Sequence, residues 1–493
     1  MAVSPDGLNA YVASLDSDAI AIFDRNPATG ELTQKAGTAG CVSETGDGGT
    51  CANGRSLLGV TSVVVSPDGT SVYSSSNHGD AVAIFDRNTS TGALTQKAGT
   101  AGCISDNGTL GTCVDGVELR GAIGVSISPD GKNVYIAADA SSAVAIFDRN
   151  TSTGALTQKA GTAGCISDTG SAGACIDGRA LNATGWVTIS PDGEHAYVAS
   201  FFSDAVSVFD RNTGTGALTQ KAGTAGCISE TGSDGCADGR GLDNVANLEI
   251  SADGQNVYGA SIVSNAVSIF DRNTNTGALT QKAGTDGCIS ETGAGPCVDG
   301  RGLDAVIAVT VSPDGSNVYA ASLTSSTVPV FDRSTATGGL TQDPGVAGCI
   351  GFGSCTPASG VVAPHSVAVS PDGRNVYAAS IGDRLAILDR ASSAPPSDLT
   401  PPDTEITEKP KKKIKTKRKK ARVSVSFSSE PGAIFMCALD ERASTPCGSP
   451  FRVKAKSKPG KGRKHTISIE AIDSAGNIEP EPAAASFRII RRG

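Results

Sequence analysis

The stretch SPDGKNVYIAADASSAVAIFDRNTSTGALTQ, residues 128–158, decides the fold. Ser128-Pro129-Asp130-Gly131 reads as a turn, because proline presets φ at the second position while Asp and Gly tolerate the reversal that follows. Asn133, Val134, Tyr135 and Ile136 read as a strand, and residues 143–147 alternate as another that ends at Asp148-Arg149. Thr153-Gly154 marks a further turn, from which Leu156-Thr157-Gln158 opens one more short strand. An apolar run precedes each such turn, as Val63, Val64 and Val65 precede Ser66. Four short strands joined by turns predict one small antiparallel sheet.

The pattern repeats. The tetrad begins at Ser4, Ser66, Ser128, Ser190, Ser312 and Ser370, with the variant Ser-Ala-Asp-Gly at Ser251, so the steps are 62, 62, 62, 61, 61 and 58 residues. A lone sheet of this size cannot bury both faces, whereas seven packed radially can. The expected fold class is all-β: a seven-bladed β-propeller over residues 1–390. All seven tyrosines fall one per repeat, at Tyr11, Tyr73, Tyr135, Tyr197, Tyr258, Tyr319 and Tyr377, as packing residues between blades would. An Asp-Arg pair also recurs seven times, from Asp24-Arg25 to Asp389-Arg390. It reads as a clamp on the turn after the third strand rather than a ring of anion sites, since an adjacent Asp neutralises each Arg.

Composition agrees. The 493 residues include 61 glycines, but only 13 Phe, 7 Tyr and 1 Trp, which argues against a helical bundle. No apolar run is long enough to span a membrane as a helix. Residues 1–394 carry 20 Lys/Arg against 39 Asp/Glu, and residues 395–493 carry 21 against 11, so two bodies of opposite sign share the chain.

The run Ser-Pro-Asp-Gly, Asn-Val-Tyr, Val-x-Ile-Phe-Asp-Arg and Thr-Gly-Ala-Leu-Thr resembles the lactonase-type seven-bladed propellers and the related YVTN-repeat surface proteins. The lactonase group includes 6-phosphogluconolactonases, which open a lactone ring with water. The resemblance therefore implies the propeller fold and, for activity, a lactone hydrolase. No catalytic motif of that group maps residue by residue here, and this chain adds a cysteine-bearing insert to the repeats.

The insert cysteines pair by position: Cys41 with Cys51, Cys103 with Cys113, Cys165 with Cys175, Cys227 with Cys236, Cys288 with Cys297 and Cys349 with Cys355. Cys437 and Cys447 make a seventh pair in the tail. These spacings suit local disulfide rings and an oxidising compartment, outside the cell or at its surface, and they do not suit the Cys-x2-Cys of zinc sites. The inserts are expected beyond the fourth strand, crowning one face with carboxylates such as Glu44, Asp106, Asp168, Glu230 and Glu291. Solvated charge is preferred there to Ca2+ binding, because no loop has a calcium pattern, and no cofactor is expected. Arg55, Arg179, Arg240 and Arg301 recur just before the inner strand, with Val117 there instead in the unit containing Cys113, and are candidates to bind an anionic ligand near the channel mouth. Pairing with nearby carboxylates is the competing reading.

A site is expected where the repeats differ. Two residues before the turn serine stand Val64, Ser126, Thr188, Glu249, Thr310 and Ala368, so Glu249 is the one charge in the series. Four before stand Trp186, the single tryptophan, and Asn247, which shares a strand face with Glu249. Five before, His365 is the one ionisable group. Glu249 and His365 are the candidate catalytic residues, and Asn247 with the four arginines the candidate ligand-binding set. His78, His195 and His465 read as peripheral, and no Gly-x-Ser-x-Gly, His-Glu-x-x-His or phosphate loop occurs.

The chain enters directly at the first turn without a leader, which predicts that the natural protein extends upstream. Residues 398–400 are a weak candidate for the missing fourth strand of the last blade. Residues 391–420 read as a linker, Pro/Ser-rich and then Lys-rich; the basic tract at 409–422 is a candidate contact for anionic cell-envelope polymer, with nucleic acid not expected. Residues 421–493 alternate again, and their Ala471-Ile472-Asp473-Ser474-Ala475-Gly476-Asn477 resembles the end of a bacterial Ig-like module, a small sandwich that would act as spacer or anchor. The leading expectation is a secreted or surface-attached propeller that binds a ligand or partner on its stapled face; the alternative is lactone hydrolysis at the channel mouth.

Overall fold

The computed structural model describes residues 1–293, 296–381, 384–390, 402–429, 433–440, 442, 444–472, 479 and 481–492. The chain forms two bodies, Met1–Arg390 and Ala391–Gly493. The first is all-β and holds seven sheets, one per repeat. In the third, strands Ala122–Ile127, Asn133–Ala138 and Ala143–Arg149 pair antiparallel from the inside outward. The outer position is split. Leu156–Gln158 pairs with one end of the third strand and Cys165–Ser167 with the other, across a 3-10 turn at Gly161–Gly164. Ile176–Asp177 then adds in parallel outside them. The insert therefore does not start beyond the fourth strand, as expected: its first cysteine lies within that strand, and pairing buries Cys165 and Ile166. Six blades share this plan, and the seventh has three strands among the described residues; residues 398–400 lie outside them.

Neighbouring blades are held by a repeated clamp whose logic is the alternation of a strand. In Ala81–Arg87, Asp86 faces solvent and Arg87 is buried, so the two cannot pair with each other. Instead Arg87 reaches back to the preceding blade. Its Nε donates to the Tyr11 hydroxyl at 2.7 Å, Nη2 to Asp6 at 2.8 Å and to Asn9 Oδ1 at 2.7 Å, while Nη1 donates to its own turn at Gly69 O, 3.0 Å. The Tyr11 hydroxyl donates forward to Gly92 O at 2.7 Å. Asp86, the sequence neighbour, takes Lys97 instead. The expected Asp-Arg clamp is thus an Arg–Asp clamp between blades, and the tyrosine is its hinge as well as packing. Corresponding ion pairs join Arg149 to Asp68, Arg211 to Asp130, Arg272 to Asp192, Arg333 to Asp253 and Arg390 to Asp314. Arg25 to Asp372, 2.9 Å, joins the first blade to the seventh and closes the ring. Gly154 shows why the outer turn needs glycine: φ is +70°, and a Cβ there would lie 2.2 Å from Ser71 Oγ.

Between these clamps the blades share apolar faces, such as Tyr135 and Ile146 of the third against Val187 and Val198 of the fourth.

Every expected cysteine pair is bonded. Cys41 is joined to Cys51, Cys103 to Cys113, Cys165 to Cys175, Cys227 to Cys236, Cys288 to Cys297 and Cys349 to Cys355 in the propeller. Cys437 is joined to Cys447 in the second body. The second member of each propeller ring is buried: Cys51, Cys113, Cys175, Cys236, Cys297 and Cys355. Each stands immediately before the short parallel strand at the blade's outer edge, as Cys51 precedes Ala52–Asn53 and Cys355 precedes Thr356–Pro357. The cystines therefore staple that edge strand to the fourth, rather than tying a loop that hangs free of the sheet.

The second body is two sheets around one core. Glu405–Glu408, Lys420–Ser428 and Phe451–Lys456 form one sheet; Lys413–Thr416, Ala483–Arg491, Arg463–Ile472, Ile434–Leu439 and Thr445–Cys447 form the other. Val425, Phe427 and Ala455 from the first pack with Ile467, Ile469 and Phe487 from the second. Strands therefore begin at Glu405, inside the segment expected to be a linker. The Lys-rich tract hides an alternation: Ile414 and Ala421 turn inward while Lys413, Lys415 and Arg422 turn out. Residues 391–401 of that linker, and residues 473–478 at the Ig-like end, lie outside the described residues.

Candidate functional site

The inner strands line the central channel. In blades 2 to 7 the residue three before the turn serine is buried in the core, whereas the residue two before is partly open, because it faces the channel. At that level Ser126, Thr188, Glu249 and Thr310 make a polar arc on four consecutive blades, and Ala368 and Val64 continue it as an apolar one. Glu249 has no hydrogen-bond partner among the described residues. Burial without a counter-charge pushes its carboxyl up to about 8, so it carries its proton near neutral pH. A protonated carboxyl can donate a hydrogen bond; an ionised one can accept a proton or hold a cation.

Asn247, two residues earlier on the same strand, is occupied. Its Oδ1 accepts the Val309 N–H of the next blade at 3.1 Å. It acts as a brace between inner strands, beside the bulge between Val245 and Asn247. His365 is exposed on the inner strand of the seventh blade. Burial on one side lowers its pKa, and the nearby Asp16 opposes that shift. His365 and Glu249 stand two blades apart and at levels differing by three residues, roughly 10 Å of strand rise. They do not converge.

Nor do the arginines reach the channel. Arg55 donates to Lys97 O and Gly99 O of the next blade's outer strand at 3.2 and 2.7 Å. Arg179 donates to Lys221 O and Gly223 O, Arg240 to Lys282 O and Gly284 O, and Arg301 to Gly345 O. They bind backbone carbonyls at the rim, neither an open anion site at the mouth nor the carboxylates of the competing reading. The outer strand lies three strand spacings from the inner one, about 14 Å. Glutamine completes this second clamp through backbone alone: Gln220 brackets Arg179 N and O, and Gln158 brackets Val117 N and O in the same way. That explains why valine is accepted at one position.

The crown carboxylates are largely employed in the fold. Glu44 accepts the Leu57 N–H at 2.6 Å, Asp106 that of Leu119 at 3.0 Å, Asp168 that of Leu181 at 2.8 Å, and Glu230 that of Leu242 at 2.5 Å. Among the described residues, one group has metal-ligand spacing: Asp192, Glu194 and His195. A guanidinium already fills it, because Arg272 Nη2 lies 2.6 Å from Asp192 and 2.8 Å from His195 Nδ1.

The stapled face is not symmetric. The turns after the second strand begin Asn77-His78 and Asp139-Ala140 in blades 2 and 3, but Phe201-Phe202 and Ile262-Val263 in blades 4 and 5. Phe202 is 71% exposed and Val263 57%. Phe201 tucks over the inner strand of its own blade, where a Cβ on Gly185 would lie 2.6 Å from its ring. Trp186 follows, its ring edge 3.1 Å from where a Gly124 Cβ would be. Two apolar residues in succession stand there in blades 4 and 5, while Leu15 of blade 1 and Ile381 of blade 7 are exposed apolar residues at the same place. Sequence reasoning found Trp186 and Glu249 but missed the turn residues, whose signal was a change of type at one repeat position.

Residues 186–347, which span Trp186 and Glu249, match the family model described as lactonase, 7-bladed β-propeller. A Bacteroides fragilis protein to which a 6-phosphogluconolactonase role is ascribed superposes with a TM-score of 0.52 at 18% identity, over 78% of this chain and 90% of its own. The periplasmic gluconolactonase of Pseudomonas aeruginosa superposes with a TM-score of 0.51 at 16% identity, over 78% of this chain and 92% of its own. These likenesses are of fold. No curated protein matches the chain.

Proposed function

We propose that this lactonase-like propeller is a binding scaffold rather than a hydrolase. It takes its ligand at the channel mouth beside blades 4 and 5, on the disulfide-stapled face. Its seven disulfides suit a working place outside the cytoplasm, with the second body as spacer or anchor. The observation that carries the reading is the isolation of Glu249. Opening a lactone needs a group to activate water and a donor for the developing oxyanion. His365 stands at another level, Asn247 is committed to Val309 N, and the arginines are held at the rim. At the level of Glu249 the neighbouring inner strands instead offer three hydroxyls, Ser126, Thr188 and Thr310, with Trp186 one step nearer the stapled mouth and the apolar turn residues at that mouth, about 16 Å of strand away, a channel suited to holding a ligand by one polar end.

The rival reading, a lactone hydrolase, has the family match and a protonated carboxyl in its favour. A panel of lactones, beginning with gluconolactone, separates the two when offered to the full chain and to Glu249→Gln. The scaffold reading expects no turnover by either. Turnover by the wild type that disappears in Glu249→Gln would establish the hydrolase. Binding without turnover can be followed through Trp186, the single tryptophan and a residue of this lining.

A further inference from the structure

The second body carries an arrangement of charge that its own stability disfavours. In the ladder of Lys420–Ser428 with Phe451–Lys456, Lys420 lies directly opposite Lys456, Arg422 opposite Lys454 and Ser424 opposite Arg452. All six side chains are exposed, while Val423, Val425 and Ala455 between them are buried. Five cations thus stand on one face of two strands, facing one another at about 5 Å across and about 7 Å along. Like charges set directly opposite destabilise a sheet. The acids of the third strand do not relieve them, because Glu405 and Glu408 pair with Ser428 and Ser426 at the far end. Among the described residues, the ion pair formed within this body is His465 with Asp440, on the other sheet.

The geometry points to a binding face for a linear polyanion, a polymer with a negative group every several ångströms lying along these two strands. Charge complementarity selects it. A row of cations on each strand matches an extended charged chain, and binding would remove the cross-strand repulsion. The large hydrophobic side chains exposed among the described residues all belong to the first body. This face therefore lacks the apolar or aromatic anchors that insertion into a bilayer or stacking on bases requires. Three of the five cations, Arg452, Lys454 and Lys456, lie outside the basic tract visible in the sequence; folding brings them to it. The proposal does not depend on what the channel binds.

The test uses the full chain and inorganic polyphosphate as probe, with phosphatidylserine-containing vesicles as the second arm. Arg422→Gln/Lys454→Gln removes one facing pair. Lys411→Gln/Lys461→Gln removes the same charge from exposed positions outside this ladder. The facing-pair variant should lose roughly tenfold or more in affinity and lower the salt slope by about 1 to 2, with the control little changed. The facing-pair variant should also melt higher than the wild type, since it loses a repulsion; a misfolded variant would melt lower. Equal losses in both variants, tighter binding to vesicles than to polyphosphate, or no binding to polyphosphate would each overturn the proposal.

Discussion

Glu249→Gln should make the propeller more stable, and only above mildly acidic pH. Glutamine keeps the size and polarity of the side chain and removes its ability to ionise. In the unfolded chain the carboxyl releases its proton near 4.5; in the folded channel it holds the proton to about 8. Between those values the unfolded state binds fewer protons, so wild-type stability falls as pH rises, and above about 8 the loss is constant. Moving a carboxyl that far corresponds to at most ~5 kcal/mol between its two protonation states. The side chain is partly open to the channel, and channel water reduces this to an expected gap of about 2–4 kcal/mol. Guanidinium unfolding of both proteins at pH 4, 6, 8 and 9 reads it directly. The midpoints should coincide at pH 4 and separate progressively to pH 8, with the variant higher. A pH-independent difference, or a wild type that is the more stable at pH 9, would mean that Glu249 is paired or fully solvated, and the channel reading would fall.

Two further changes probe the frame around the site. His195 stands where blade 2 has Ser71 and the other five blades have asparagine, and burial, then Arg272, hold its pKa below 6.5. Protonation is thereby resisted in the fold, so the wild type should lose stability as pH falls from about 7 to 5; His195→Asn should fold normally and lose less over that window, read by thermal melts. Replacing Cys165 and Cys175 together by serine opens a ring whose partners are 10 residues apart in sequence, which costs about 3 kcal/mol by chain entropy. The same melts should show it, and an unchanged melting point would deny that cystine a stabilising role.

Much of this architecture was legible because turn chemistry and strand alternation are local. The Ser-Pro-Asp-Gly tetrads and the tyrosines need no knowledge of distant contacts to be counted. Short-range cysteine spacing is local in the same way, which is why Cys103 with Cys113 or Cys288 with Cys297 could be paired without the fold. The errors came where sequence neighbours were taken for spatial ones. Asp86 and Arg87 are adjacent in the chain, yet a strand sends them to opposite faces, and the true partner of Arg87 is Asp6. Arg55 precedes its inner strand by only five residues, but an extended segment of that length spans about 17 Å, enough to leave the guanidinium at the rim. The basic tract looked like a spacer because lysines mask the inward alternation of Ile414 and Ala421. Phe202 went unremarked because it lies in a turn, where apolar residues carry no periodic signal.

The channel exists only if the seven blades close, and Arg25 with Asp372 is the ion pair at that closure, beside hydrogen bonds from Arg25 to Tyr377 and Asn375. A double-mutant cycle with Arg25→Gln and Asp372→Asn, measured beside the internal junction Arg149→Gln and Asp68→Asn, tests this directly. A closed ring predicts similar favourable coupling at both junctions, about 1–3 kcal/mol. Coupling at the internal junction with none between Arg25 and Asp372 would show the ring to be open in solution and would contradict the account.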